Sequence, residues 1–330
     1  MKRIGNLVAA LALAGLAQWA SAASYTGLYI FGDSLSDTGN LAAVIGADPT
    51  QVISGNAYIP DHPYASGQFT NGDVWAKTFA SAIGLAAYAK PAKLGGGDFA
   101  FGGARVNTDN PGVLPPSLAA QTSLFLGGTP GHLAPSGALY VVAGGGNDAR
   151  DALALAATSA KPINVIAAAA AKYAKDTGDI VDRLQAAGAQ HIIVWDVPNI
   201  GLVPAVTSLG AGASFLGGLT SSFMSGALAA RMSGESGVTL FDAFGLLTQA
   251  ALNPAAFGLS NVKDACGSPL AGCDPATSLF WDGIHPTATV HTILARQMLV
   301  TAVPEPATWA MLAAGVLLIG LRAGRRQAAA

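Results

Sequence analysis

Charged residues are scarce in this sequence. Asp, Glu, Lys and Arg make up 11% of the 330 residues, and the formal net charge is −2. No cluster of Lys or Arg stands in the body of the chain, so we expect no nucleic-acid partner. The mean hydropathy of +0.43 is high for a soluble protein. Part of this apolar character belongs to the two ends of the chain.

Cysteine is also rare. The two cysteines, Cys266 and Cys273, lie close together in the segment DACGSPLAGCDP. No Cys-x-x-Cys pair is present and zinc usually takes four ligands, so a two-ligand metal site is the weaker interpretation. In an oxidising compartment we expect the two thiols to form one disulfide.

The first 22 residues resemble a processing segment. MKRIGNLVAALALAGLAQWASA has a basic start, an apolar middle and the small-x-small triplet Ala20-Ser21-Ala22. This order is typical of a secretory signal peptide cleaved near Ala22. A short membrane anchor is the alternative. We therefore predict that residues 1–22 direct export.

The C-terminal segment VPEPATWAMLAAGVLLIGLRAGRRQ has three parts in order: a Val-Pro-Glu-Pro start, an apolar run (307–321) and a basic tail. The run is shorter than the roughly 20 residues of a usual spanning helix. Local thinning of the bilayer or snorkelling would still let it cross, with the arginines on the cytoplasmic side.

This order resembles the PEP-CTERM sorting signal of Gram-negative bacteria. The resemblance implies that residues 303–327 hold the protein in the membrane until a sorting protease of the exosortase type cleaves it. The protein would then stay in the cell envelope or be released to the surface or the extracellular matrix. An ordinary C-terminal anchor is the alternative, and both interpretations imply export.

Between these ends, residues 23–302 read as one α/β domain. Apolar runs typical of buried parallel strands alternate with runs that have apolar residues at helical spacing. Such alternation predicts a parallel sheet with helices on both faces. The predicted strands are 26–34, 98–101, 138–144, 191–198 and 237–243, and the predicted helices are 74–85, 163–188, 213–232 and 287–299.

Polar residues follow several of these strands. In an open α/β sheet, ligands bind beyond the carboxyl ends of the strands. There the sequence places Gly-Asp-Ser (32–34), Gly-Gly (102–103), Gly-Gly-Asn-Asp (145–148) and, near the end of the domain, Asp-Gly-Ile-His-Pro-Thr (282–287). Together these residues supply a hydroxyl, an imidazole, a carboxylate and amide donors, the groups that acyl transfer requires.

Each of these residues also has a structural interpretation. A Ser after a strand is often an N-cap, as Ser34 would be. Asp196 and Asp242 compete with Asp282 for the role of the acid, but neither has its three-residue spacing to His285. Asp33 is a third candidate, and we expect it instead to bind backbone amides in its own turn. Arg105 would bind a carboxylate of the substrate or brace its own loop.

The four blocks, in this order and spacing, resemble the SGNH hydrolases, also called GDSL esterases/lipases. FGDSLSDTGN (31–40) and the loop YASGQFTNG (64–72) are similar to the branch with secreted bacterial lipases and plant GDSL lipases. The resemblance covers nearly all of the predicted domain. It implies a flavodoxin-like α/β/α sandwich with about five parallel strands.

Carried over position by position, the resemblance implies roles for five residues. Ser34 would be the nucleophile, His285 the base and Asp282 the residue that orients it. Gly103 and Asn147, with the Ser34 amide, would form the oxyanion hole; Gly102 is the alternative to Gly103. The resemblance implies no metal and no cofactor.

We therefore expect an exported serine esterase or lipase. Its substrate would be a lipid, a small acyl ester or an acylated polysaccharide, with a small or medium acyl group. An exopolysaccharide O-deacetylase of the same mechanism is a second hypothesis. A surface or matrix protein that keeps the fold without turnover is a third.

Overall fold

A computed structural model of the chain describes residues 25–108 and 113–302. Tyr25–Leu299 form one unit, and a second unit comprises Met1–Ser24 and Val300–Ala330, of which only residues 300–302 are described. The predicted signal peptide and the predicted sorting signal, with its apolar run, lie outside the described residues. Among the described residues, no helix is both long and apolar enough to cross a membrane.

Four parallel strands form the central sheet, in the order β1 (Leu28–Gly32), β2 (Leu139–Ala143), β3 (His191–Trp195) and β4 (Val238–Phe241). Their register pairs Phe31 with Val142 and Val142 with Val194. The first three strands are almost entirely buried, as their continuous apolar runs predict. The edge strand β4 is partly exposed.

The prediction of a regular strand at 98–101 is wrong. This segment lies along the outer edge of β1, where Phe99 N donates to Ile30 O (2.8 Å) and Phe101 N donates to Gly32 O (3.1 Å). It forms isolated bridges rather than a ladder. The Asp98 carboxylate accepts from Ala100 N, two residues on, and such a bond bends the backbone into a turn. With this segment counted, the order is 2-1-3-4-5 in chain numbering, as in flavodoxin.

Nine α-helices occur in the described part of the chain. They are α1 (Asn40–Ile45), α2 (Trp75–Ala82), α3 (Leu118–Gly128), α4 (Gly146–Thr158), α5 (Pro162–Ala186), α6 (Pro204–Thr207), α7 (Ala211–Met232), α8 (Ala243–Leu252) and α9 (Ala288–Ala302). The sequence predicted α2, α5, α7 and α9. It did not predict α1, α3, α4, α6 and α8.

Helices cover both faces of the sheet, so the predicted three-layer α/β/α architecture is confirmed. On one face, the Tyr140 ring lies 5.8 Å from Phe125 of α3, in a core that includes residues of α5 and α7. On the other face, Trp195 packs against Trp75 of α2, with 4.9 Å between ring centroids. The indole nitrogen of Trp195 also lies 3.0 Å from the sulfur of Met298 in α9.

A second sheet, which the sequence did not predict, has two parallel strands, β5 (Asn261–Ala265) and β6 (Ser278–Phe280). Cys266 and Cys273 lie between them in the chain and are joined by a disulfide, with Cα atoms 5.6 Å apart. β6 leads directly into the segment 281–287. The second sheet therefore fixes where that segment begins.

A buried glutamine holds the carboxyl end of β1. Gln121 of α3 accepts from the amide of Gly32 and donates to its carbonyl, both at 2.9 Å. Its Nε2 also donates to Pro116 O. Because Gly32 is two residues before Ser34, these bonds fix the start of the turn that carries the Ser34 hydroxyl.

Candidate active site

The predicted site residues converge at the carboxyl edge of the central sheet. Ser34 follows β1, Asn147 lies in the first turn of α4 directly after β2, and Gly103 follows the segment beside β1. His285 comes from the segment after β6. Four separate parts of the chain thus meet at one place.

Ser34, His285 and Asp282 form a continuous chain of hydrogen bonds. The Ser34 Oγ lies 2.8 Å from His285 Nε2, and His285 Nδ1 lies 2.7 Å from Asp282 Oδ2. An ionised carboxylate can only accept, so Nδ1 carries the proton of a neutral imidazole. Nε2 is then an acceptor directed at the Ser34 hydroxyl.

Asp282 is fully buried and its carboxylate accepts four hydrogen bonds. Oδ1 accepts from the amides of Ile284 (2.8 Å) and His285 (2.7 Å). Oδ2 accepts from the His285 imidazole and from the Tyr64 hydroxyl (2.8 Å). Each lone-pair direction of the carboxylate thus has a donor, which offsets the cost of burying it.

Tyr64 reaches Asp282 from the long segment 46–74, between α1 and α2. Burial and the nearby Asp282 carboxylate raise the pKa of Tyr64 well above its usual value, so the phenol stays protonated and donates. From the same segment, the Phe69 ring lies 5.2 Å from the His285 ring. The long segment therefore buries the imidazole and braces the carboxylate that orients it.

Asp37 connects the Ser34 turn to the glycine loop. Its carboxylate accepts from the amides of Gly39, Asn40 and Leu41, and also from the amide of Gly102 at 2.8 Å. A Cβ on Gly102 would lie 2.1 Å from the Phe69 ring, so no other residue fits there. The next residue, Gly103, has φ +80°, a conformation that favours glycine.

Three N–H donors remain near the Ser34 hydroxyl. The amides of Ser34 and Gly103 donate to no acceptor within the described part of the chain, whereas the Gly102 amide is bound to Asp37. The Asn147 amide uses one of its two N–H groups on Ala104 O (2.9 Å). The Arg150 guanidinium donates to Asn147 Oδ1 at 3.4 Å, which favours the amide orientation in which Nδ2 is the donor to Ala104 O.

Arg105 braces its own loop. Its guanidinium donates to both carboxylate oxygens of Asp151 and, at 2.9 Å, to the carbonyl of Gly103. Of the two alternatives that the sequence left open for Arg105, the described contacts match the structural one. By binding the Gly103 carbonyl, Arg105 also restrains the residue whose amide is free.

The acids that competed with Asp282 bind backbone amides instead. Asp33 accepts from Leu35 N, Asp196 from Phe244 N, and Asp242 from Gly245 N at the start of α8. Burial raises the pKa of Asp33 to about 6 and that of Asp196 to about 7. None of these three carboxylates has a hydrogen bond to the His285 imidazole.

His291, the other buried histidine of this region, has a structural environment. Its Nδ1 accepts from Trp75 N at 3.2 Å, and burial lowers its pKa to about 3, so the ring is neutral. Within residues 25–108 and 113–302, no group of three His, Cys, Asp or Glu side chains could hold a metal ion.

Two pockets meet at Ser34, Asn147, Arg150 and His285. We call the first the inner pocket; its walls come mostly from α8, α9 and the segment after β3, and are mainly apolar. We call the second the outer groove; it runs past Gly103, Phe69 and Pro115, with charged side chains of Asp61, Arg105 and Arg150 in its lining. An ester bound at Ser34 would thus have space on both sides of its carbonyl.

Sequence reasoning did not find the contacts of Tyr64 and Arg150. Tyr64 stands in the YASGQFTNG loop that the sequence singled out, but it lies 218 positions from Asp282. Arg150 lies three residues after Asn147 in α4, a spacing that puts both on one face of a helix. That spacing was a usable signal for Arg150, whereas no local pattern pointed to the partner of Tyr64.

Comparison with known proteins identifies two segments of the chain. Residues 28–298 match the model of the GDSL-like Lipase/Acylhydrolase family. Residues 302–327 match the PEP-CTERM protein-sorting motif. The phospholipase A1 from Streptomyces albidoflavus NA297, known from a crystal structure, is 16% identical with a TM-score of 0.43; the match covers 84% of this chain and 99% of that one.

Two curated relatives are both called esterase EstA. The proteins of Pseudomonas aeruginosa and Pseudomonas putida are each 29% identical to this chain over 331 residues. Each match covers 88% of this chain and 49% of the relative, so the chain spans about half the length of these relatives. The family model itself covers most of the chain, from the first strand of the sheet to the last helix. The chain is therefore a member of the GDSL-like lipase/acylhydrolase family.

Proposed function

We propose that this protein is a serine esterase that hydrolyses carboxylic esters through an acyl-enzyme on Ser34. The observation that carries the proposal is the buried hydrogen-bond chain from Ser34 through His285 to Asp282, with contacts of 2.8 and 2.7 Å. Two free backbone amides lie beside it. Family membership and the name of the EstA relatives support the same class of reaction.

In the first half of the reaction, the Ser34 hydroxyl attacks the ester carbonyl while His285 Nε2 takes its proton. Asp282 keeps the imidazole in the required tautomer and stabilises the imidazolium that forms. Collapse of the tetrahedral intermediate breaks the bond to the alcohol, to which Nε2 returns the proton. The product of this half is the acyl-enzyme on Ser34 and a free alcohol.

The tetrahedral intermediate carries its negative charge on the former carbonyl oxygen. The amides of Ser34 and Gly103 and the side chain of Asn147 are the donors for that oxygen. Because all three are held by other contacts before substrate binds, little reorganisation accompanies the development of charge. The bond from Gly102 to Asp37 leaves Gly103 as the donor from the glycine loop.

In the second half, His285 removes a proton from water, which attacks the acyl carbonyl. The same donors stabilise the second intermediate. The bond to the Ser34 Oγ then breaks, and Nε2 returns the proton to the serine. The acid leaves, and the enzyme regains its starting state without a metal or a redox step.

The central test is substitution of the nucleophile. We expect Ser34→Ala to lower kcat/KM for p-nitrophenyl esters by at least roughly 1,000-fold, because acylation has no other hydroxyl at this position. Ser81→Ala, which removes an exposed hydroxyl on α2, is the matched control and should keep full activity. Equal activity of Ser34→Ala and wild type would disprove the role of Ser34. No hydrolysis by folded wild type would favour a non-catalytic surface protein.

Tyr64 acts as a positioning residue in this mechanism. Tyr64→Phe removes one of the four donors to Asp282, and we expect kcat to fall about tenfold with KM nearly unchanged. KM should change little because Tyr64 lines neither the inner pocket nor the outer groove. Tyr58→Phe is the matched control, since that hydroxyl binds Gln51 and not Asp282. A kcat of Tyr64→Phe equal to that of wild type, or a loss that appears only in KM, would contradict the assigned role.

We further propose that the protein is exported and that an exosortase-type protease processes its C-terminal segment in the cell envelope. The match of residues 302–327 to the sorting motif supports this proposal. Mass spectrometry of the protein from the envelope of its host should then show a chain that lacks the basic tail. An envelope-bound chain with an intact tail would contradict the processing step, and a chain found in the cytoplasm would contradict export.

A further inference from the structure

The lining of the inner pocket is polar at one end and apolar elsewhere. Its polar side chains are those of Asp33, Ser34, Asn147, Arg150 and His285, which all lie around the reacting hydroxyl. The rest of the lining is apolar apart from the backbone of Gly146. A molecule that fills this pocket therefore has its reactive group at the mouth and hydrocarbon beyond it.

Two helices contribute much of the apolar wall, beside the segment after β3. Residues Ala243, Leu246, Leu247 and Ala250 of α8 line one side, and Val290, Ile293 and Leu294 of α9 line another. From Ala243 to Ala250, α8 advances by about 10 Å.

The outer groove has a more mixed lining than the inner pocket. Asp61 and Arg105 line it together with apolar side chains such as Leu41, Ile59 and Phe69. Arg150 lines both spaces, which meet at Ser34 and His285. Desolvating the charged side chains against a hydrocarbon chain would be costly, whereas a polar alcohol can hydrogen-bond to them. The two spaces therefore suit the two ends of an amphiphilic ester.

We propose that the inner pocket is the acyl site and that it selects acyl chains of medium length. The alcohol of the ester occupies the outer groove. C–C bonds of about 1.5 Å advance an extended chain by slightly less per carbon, so roughly eight carbons span the α8 wall. This inference rests on the proposed esterase function and narrows its substrate class from short or medium acyl esters to medium-chain ones.

Selectivity should follow from burial of methylene groups. Each methylene that leaves water in the transition state raises kcat/KM by about fourfold. Along a series of p-nitrophenyl esters with one fixed alcohol, kcat/KM should therefore rise from acetate to octanoate by at least about 100-fold. It should rise no further to palmitate, because the additional carbons find no wall to contact.

The direct test of the acyl site is a substitution that narrows the inner pocket. Leu247→Trp fills the space between the helices, and we expect kcat/KM for octanoate to fall by at least about 30-fold while acetate changes less than about twofold. Leu252→Trp is the matched control: Leu252 lies on the same helix, is 67% exposed and does not line the pocket, so both esters should keep their wild-type rates. Leu247→Ala, which widens the pocket, should move the optimum toward longer chains.

The outcomes separate this inference from the function on which it rests. Hydrolysis of esters by wild type with the same octanoate-to-acetate ratio in Leu247→Trp would overturn the acyl site and leave the esterase standing. A preference for acetate over octanoate in wild type would do the same and favour a deacetylase. If Leu247→Trp altered selectivity for the alcohol of acetate esters instead, the two spaces would have been assigned in reverse. No hydrolysis of any ester would remove the proposed function itself.

Discussion

The site depends on one buried carboxylate. Asp282 has no exposed surface, and its charge is stable there because four donors surround it. These donors come from two parts of the chain, the long segment that carries Tyr64 and the turn that carries His285. Removing a donor would leave the buried charge partly unpaired. Because the donors come from both segments, the carboxylate also holds these two segments together. Gly283 N, which donates to Tyr58 O at 2.8 Å, makes a second bond between the same segments.

The central sheet could be predicted because its strands are buried on both faces. Continuous apolar runs such as LYVVA in β2 predict a strand that is buried on both faces. The segment at 98–101 has a similar apolar run, but the Asp98 carboxylate accepts hydrogen bonds from the amides of Ala100 and Thr38. A regular strand ladder therefore does not form there. Helix α4 begins within Gly-Gly-Asn-Asp, where glycines suggest a turn, and α8 follows β4 after one residue. The helix propensities of the residues carry little information about where such helices begin.

The predicted site residues converge because parallel strands and crossover connections bring their carboxyl ends to one edge. Ser34 and Asn147 needed no more than this rule, and His285 and Asp282 were linked by their three-residue spacing. The choice of Gly103 over Gly102 came from the family resemblance. What the sequence could not reveal were contacts set by tertiary packing alone. Tyr64 meets Asp282 across 218 positions, and the inner pocket is lined by residues of α8, α9 and the segment after β3, which are far apart in the chain. No pattern within a short stretch of the sequence predicts either feature.

The most direct test of the account is to find where an activated serine probe reacts. The purified chain would be treated with a fluorophosphonate, digested, and examined by peptide mass spectrometry. We expect one adduct, on Ser34, that forms rapidly in wild type and at most slowly in His285→Ala, since the imidazole activates the hydroxyl. A folded protein without an adduct on Ser34, or with the adduct on another serine, would contradict the role of Ser34 as the nucleophile.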